Sequence, residues 1–184
     1  TFTTETGEIF NLKAGTEGKA KIQLSGGKFA TSNAASKETL KKYVAEDSRF
    51  DPATGTVSVK EEKAAASVDG QNYRTLQAAI DAASNGATVV LKQSVVETVR
   101  VPAGKELTLD LAGKNIQNGA DNKNAVIVSG SLTIKDSTAT SAPTVAGSDV
   151  TYTSGKVSAN QAAIAVADGG KVVVESGTFE STDN

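Results

Sequence analysis

Asn124-Ala125-Val126-Ile127-Val128, followed by Gly130-Ser131-Leu132-Thr133-Ile134, returns later in the chain as Ala162-Ala163-Ile164-Ala165-Val166 followed by Gly170-Lys171-Val172-Val173-Val174. The spacing is 38 residues from Val126 to Ile164 and 40 from Leu132 to Val172. The second strand of the first copy alternates large apolar with small or polar residues, the period of a strand with one face turned inward. A strand pair that recurs with a connecting loop of variable length is how one coil of a solenoid appears in sequence. A single coil cannot bury its apolar face, so it must stack on a copy of itself.

Further strands of the same kind surround this pair, at residues 88–91, 99–101 and 107–111. In the last, Leu107, Leu109 and Leu111 are expected inward, and Thr108 and Asp110 outward. Turn residues separate them: Gly104, Gly113, Asn118-Gly119, Gly130 and Asp168-Gly169-Gly170. Before the first strand, Leu76, Ala79, Ile80 and Ala83 recur at i, i+3, i+4 and i+7, the stripe of an amphipathic helix. Thr75 suits its N-cap, and Gly86 stands where a helix stop belongs.

The first third reads differently. Residues 1–18 are polar, a loop or an edge strand, and 20–24 alternate as a strand. Leu40, Tyr43 and Val44 predict a short helix over 37–46 started by Ser36. Asp51-Pro52-Ala53-Thr54-Gly55 is a turn and 56–59 a strand. Residues 60–66 form a charged, then featureless linker. A second repeat spans this boundary: Lys21-Ile22-Gln23-Leu24-Ser25-Gly26-Gly27-Lys28-Phe29 matches Lys171-Val172-Val173-Val174-Glu175-Ser176-Gly177-Thr178-Phe179, offset by 150. We therefore expect residues 1–66 to be the C-terminal part of a preceding module plus a linker. Residues 67–184 are expected to be a second module, truncated at its C-terminal end. Lacking an initiator Met and a signal sequence, the chain is expected to be a mature or excised segment.

Composition narrows the chemistry. The chain has no Cys, His, Met or Trp, which excludes disulfides, thiol nucleophiles, imidazole ligands and any Ser-His-Asp triad. A net charge of −2, with 19 basic residues of which three are Arg, argues against nucleic-acid binding. No apolar run approaches the ~18–20 residues a membrane span needs, so no membrane insertion is expected.

Tyr73-Arg74-Thr75-Leu76-Gln77-Ala78-Ala79-Ile80-Asp81-Ala82-Ala83, with Gly86-Ala87-Thr88-Val89-Val90-Leu91, resembles the opening of right-handed parallel β-helix (pectin-lyase-like) modules. Such modules occur in large surface proteins of bacteria and in phage appendages. Residues 101–116 fit the family's next coil, and Gly26-Gly27-Lys28-Phe29 with residues 40–46 and 56–59 is similar to the element that closes one module. The resemblance implies an all-β fold: a right-handed parallel β-helix (solenoid) with a short amphipathic capping helix, preceded by the C-terminal part of a similar module.

Carboxylates are the surviving route to catalysis, since a glycosidase needs two acids some 5–10 Å apart across a sugar. The candidates are Asp110, Asp136, Asp168, Glu175 and Glu180, and turn or surface roles account for all of them. Glu97 and Arg100 suit a surface ion pair. The loop at 119–124 has the polar character of a calcium loop but lacks the Glu that would complete one. No catalytic, cofactor-binding or metal site is assigned. The long irregular stretch 135–160 is the expected contact surface, with Asp136, Ser137, Thr140, Tyr152 and Thr153 as its residues. The function expected is a non-enzymatic structural or adhesive module of an extracellular bacterial surface or of a virion. It would act as a rigid spacer, with glycans, host or cell-surface components and neighbouring modules as partners, and a homo-oligomer if virion-associated. The alternatives are a phage fibre or capsid-decoration protein and a carbohydrate-active lyase or hydrolase.

Overall fold

A computed structural model describes residues 2–4, 10, 20–31, 34–119, 123–139, 144–146, 149–151 and 154–182. The chain divides into two compact units, Thr1–Lys63 and Ala64–Asn184.

The first unit contains β1 (Phe2–Thr4), β2 (Gly27–Thr31), α1 (Ala34–Tyr43), β3 (Ser48–Asp51) and β4 (Thr56–Val59). β2 pairs with β1 in parallel, Phe2 opposite Phe29, and with β4 antiparallel on its other edge, with β3 beyond. Leu24, Phe29, Leu40 and Val57 form its buried core. Leu40 and Tyr43 lie on α1 as expected, but the helix spans Ala34–Tyr43 rather than 37–46, so Ser36 lies inside it and is buried rather than capping it. Val44 leaves the helix to bridge Leu24 in parallel, and 20–23 form no strand. The turn at 51–55 is tied by the Asp51 carboxylate, which accepts the Ala53 N–H and the Thr54 hydroxyl, both at 2.9 Å. The Ala53 bond first, then that of Thr54, holds the Asp51 carboxyl below its ordinary range.

The second unit opens with a hairpin, β5 (Ala66–Val68) and β6 (Gln71–Tyr73), then α2 (Leu76–Ala82). Asp69 and Gly70 both take positive φ, 50° and 74°, as a two-residue hairpin turn demands. Ala64, Ala65 and Ala66, read from sequence as linker, are all buried, and Ala66 pairs with Leu91. The remaining strands are β7 (Ala87–Leu91), β8 (Val95–Val96), β9 (Val99–Val101), β10 (Glu106–Asp110), β11 (Asn115–Gln117), β12 (Asn124–Val128) and β13 (Ser131–Lys135). After these come β14 (Thr144–Ala146), β15 (Asp149–Thr151), β16 (Lys156–Ala159), β17 (Ala162–Val166), β18 (Lys171–Val174) and β19 (Thr178–Ser181).

Three parallel ladders organise these strands: β7–β10–β13–β18, β8–β11–β16–β19 and β9–β12–β17. Register stacks like on like. Val89, Leu109, Ile134 and Val174 form one column, Val95, Ile116, Val157 and Phe179 a second, and Val101, Val128 and Val166 a third. Their middle members are essentially fully buried in one continuous aliphatic core. Each large aliphatic side chain buried there contributes on the order of 1.5–3 kcal/mol. Helix α2 lies against β5, β6, β7 and β9, the beginning of the stack, with Leu76, Ala79, Ile80 and Ala83 buried. Thr75 caps it, accepting the Ala78 N–H at 3.1 Å.

The expected fold class needs correction. The chain is mixed α/β and not an all-β parallel β-helix. Among the described residues its strands fall into separate sheets, some parallel, one antiparallel (β14–β15) and others mixing the two, and both helices supply core residues. Among the described residues no closed β-helix joins the sheets. The physical reason is that a sequence repeat specifies which strands stack in register. It does not specify antiparallel additions such as β5–β6, or closure.

Candidate functional site

A densely bonded polar cluster lies where β10 and β13 end. Register sets Asp110 opposite Lys135, so the turns that follow the two strands are stacked. The first turn, 110–113, carries Ala112 at φ 46° and Gly113 at φ 74°. Both Asp110 and Asp136 are buried, each 5% exposed.

The two carboxylates bind the turns reciprocally. Asp110 Oδ1 accepts the N–H of Ala112 in its own turn (3.0 Å) and of Ser137 in the next (2.9 Å). Asp136 Oδ1 accepts the N–H of Gly113 in the previous turn (2.9 Å), the N–H of Thr138 (3.0 Å) and the Thr138 hydroxyl (2.9 Å). Its Oδ2 accepts the Gly155 N–H. The Asp136 N–H donates to Ser176 Oγ at 2.7 Å, which ties in the turn after β18. Close approach is part of the design. A Cβ on Gly155 would lie 2.6 Å from both the Leu111 Cβ and the Lys114 carbonyl oxygen. A Cβ on Gly113 would lie 2.7 Å from the Thr138 hydroxyl.

Burial pushes the Asp136 carboxyl up, but the N–H of Gly155, the N–H and hydroxyl of Thr138 and the N–H of Gly113 outweigh it. The net result is a value below the ordinary 3.8. A carboxylate with both oxygens bonded to backbone donors is held in its charged form. The chemistry of this arrangement is the fixing of turns.

The other sequence candidates lie elsewhere. Asp168 and Glu175 are exposed at the two ends of β18. Glu180 is exposed on β19, paired with Lys156 at 3.0 Å. Asp110, expected on the outward face, is on that face but covered by the turn after β13. Of the expected contact residues, Asp136 is buried in this cluster and Ser137 is exposed. Thr140, Tyr152 and Thr153 lie outside the described residues, as do 120–122 of the loop weighed for calcium. The stretch 135–160 is not irregular throughout: it holds the antiparallel hairpin β14–β15 and the ladder strand β16.

Glu97 does not pair with Arg100. Its carboxylate accepts the N–H groups of Leu76 (2.7 Å) and Gln77 (3.4 Å) at the start of α2. At the other end of α2, Lys105 Nζ donates to the carbonyls of Ala83 (2.6 Å) and Asp81 (3.2 Å). Charges of opposite sign thus complement both ends of the helix dipole. Both are contributed from loops 20 or more residues away, so sequence spacing carries no signal for them.

Among the described residues no group of three or more His, Cys, Asp or Glu could hold a metal ion, and no helix is long and apolar enough to cross a membrane. No family model, curated protein or solved structure matches this chain.

Proposed function

We propose that the chain is a non-enzymatic structural or adhesive module of an extracellular or virion appendage, a rigid spacer that can also present a glycan- or host-binding surface. The observation that carries this reading is the reciprocal Asp110/Asp136 bonding. Asp110 and Asp136, both buried, hold successive turns together above a continuous aliphatic core, the arrangement of a part built to keep its shape. Ladder strands in register, each resting on its neighbours, favour stiffness along the stack. The hairpin β14–β15, inserted between β13 and β16, is where a recognition surface belongs, because a loop carried by a rigid scaffold is the usual place for one.

The test is a glycan and cell-binding screen of the chain beside a variant in which residues 140–153 are replaced by a short Gly/Ser link. Binding that disappears in the variant, with the ladder still folded, supports an adhesive module. Absence of binding together with high resistance to pulling in single-molecule force measurements supports a spacer alone. Cleavage of a polysaccharide, abolished by Asp110→Asn, would replace the proposal with an enzymatic one.

A further inference from the structure

The first and third columns of the second unit are buried until their last members. Val174 is 49% exposed, although Val89, Leu109 and Ile134 beneath it are at 0%. Val166 is 53% exposed above Val101 and Val128, which are at 1% and 0%. Among the described residues no strand pairs with the outer edges of β17, β18 or β19. The beginning of the stack is covered by α2 and extended by β5 and β6, so the molecule treats its two ends differently.

The first unit shows what such an edge can accept. The stretch 171–179 repeats 21–29 in sequence, and the backbone repeats too. Gly27 has φ 114° and Gly177 φ 117°. A Cβ on either would lie 3.4–3.6 Å from the ring of the Phe two residues on, Phe29 or Phe179. In both cases that Phe sits in a strand with a parallel neighbour on one edge: Phe29 lies opposite Phe2, and Phe179 opposite Val157. On its other edge β2 takes β4, Gly27 opposite Val57, while Val44 at the end of α1 bridges Leu24. Leu40 and Val57 complete the core there, leaving Leu24 7% and Phe29 2% exposed. Val174 and Phe179, the equivalents of Leu24 and Phe29, have no such cover.

We infer that the outer edge of β18–β19 is a docking site for a helix–strand–strand segment of the kind formed by residues 34–59. The segment's post-helix residue pairs with Val174, its last strand pairs antiparallel at Gly177, and its equivalents of Leu40 and Val57 cover Val174 and Phe179. The occupant is defined by that chemistry: an amphipathic helix followed by a two-stranded antiparallel pair.

The experiment extends the full chain after Ser181 with a second copy of residues 32–60 and follows hydrogen exchange. Expected is exchange at least about tenfold slower at the 171–181 amides, with new helical signal. The same extension carrying Leu40→Asp and Val57→Asp in the copy should leave 171–181 as in the unextended chain. Amides of β7 and β10 report that the second unit is folded in every case. Unchanged exchange at 171–181, or equal protection from the two extensions, overturns the inference. So does a dimer of the unextended chain in which 171–181 are protected and lose that protection on dilution, because the occupant would then be a second copy. The assay is blind to glycan binding, so its failure and that of the appendage reading are separate results.

Discussion

Asp136→Asn is the most informative single change, because it preserves size and removes the charge. Three donors converge on Oδ1, the N–H groups of Gly113 and Thr138 and the Thr138 hydroxyl, so the Asn carbonyl takes that place. Its amide group then faces the Gly155 N–H, donor against donor. Leaving that buried N–H unsatisfied costs about 1–3 kcal/mol. The three remaining bonds lose their charge assistance, which roughly halves each. A total near 3–5 kcal/mol follows, a drop in Tm of roughly 10–20 °C for a unit of this size. The pH dependence is the sharper check. The native carboxyl lies below its ordinary 3.8, so its contribution is complete above that value and is lost as pH falls through the lower native one. Thermal melts of both proteins should therefore differ by a constant amount between pH 5 and 8, the gap closing towards pH 2. A gap below about 1 kcal/mol at pH 7, or one that persists undiminished at pH 2, would refute the bonding scheme.

Gly130→Ala should abolish soluble expression or cost several kcal/mol, since a Cβ there would lie 2.3 Å from the Lys105 carbonyl oxygen and 2.4 Å from that of Pro102. Gly104→Ala meets nothing within 4 Å and bears only the strain of φ 78°, about 1–2 kcal/mol, so urea melts of the two should differ clearly. Glu97→Ala removes the acceptor at the start of α2 and should lower stability by about 1–2 kcal/mol. In that variant, hydrogen exchange should quicken first at Leu76 and Gln77. Lys156→Ala, by contrast, breaks an exposed ion pair with Glu180 and should shift stability by less than about 1 kcal/mol in the same melts.

The strands legible in the sequence were those whose alternation runs long enough to stand out. β10, with Leu107 and Leu109 inward, and β13, with Leu132 and Ile134 inward, lie within a residue of their expected bounds. β8, β11 and β16 were missed because each offers one or two inward apolar residues, Val95, Ile116, and Val157 with Ala159, too few for a period to show. They exist because they stack on one another in register, with Val95, Ile116 and Val157 in one column, so tertiary stacking supplies what local propensity does not. The β5–β6 hairpin did leave a sign, Asp69-Gly70, the residue pair that a two-residue turn favours. Read as the start of a unit, it left the antiparallel addition unforeseen.

Asp110 shows where sequence reading of the site stops. Strand alternation correctly put its side chain on the face away from Leu109. Alternation reports the face of the sheet and not what lies over that face. Asp110 is the last residue of its strand, so the turn following the next strand folds across it and presents the Ser137 N–H at 2.9 Å. A polar residue at that position is buried in spite of pointing outward, and its burial is tolerable only because backbone donors meet it. Asp136 repeats the logic from the other side. It is the first residue after its strand, and it reaches back to Gly113. The pairing follows from register, Asp110 opposite Lys135, combined with the turn geometry that Ala112 and Gly113 adopt at positive φ. Neither is written in the spacing of the two acids along the chain, and so acids that look like dispersed turn residues in sequence prove to be partners in space.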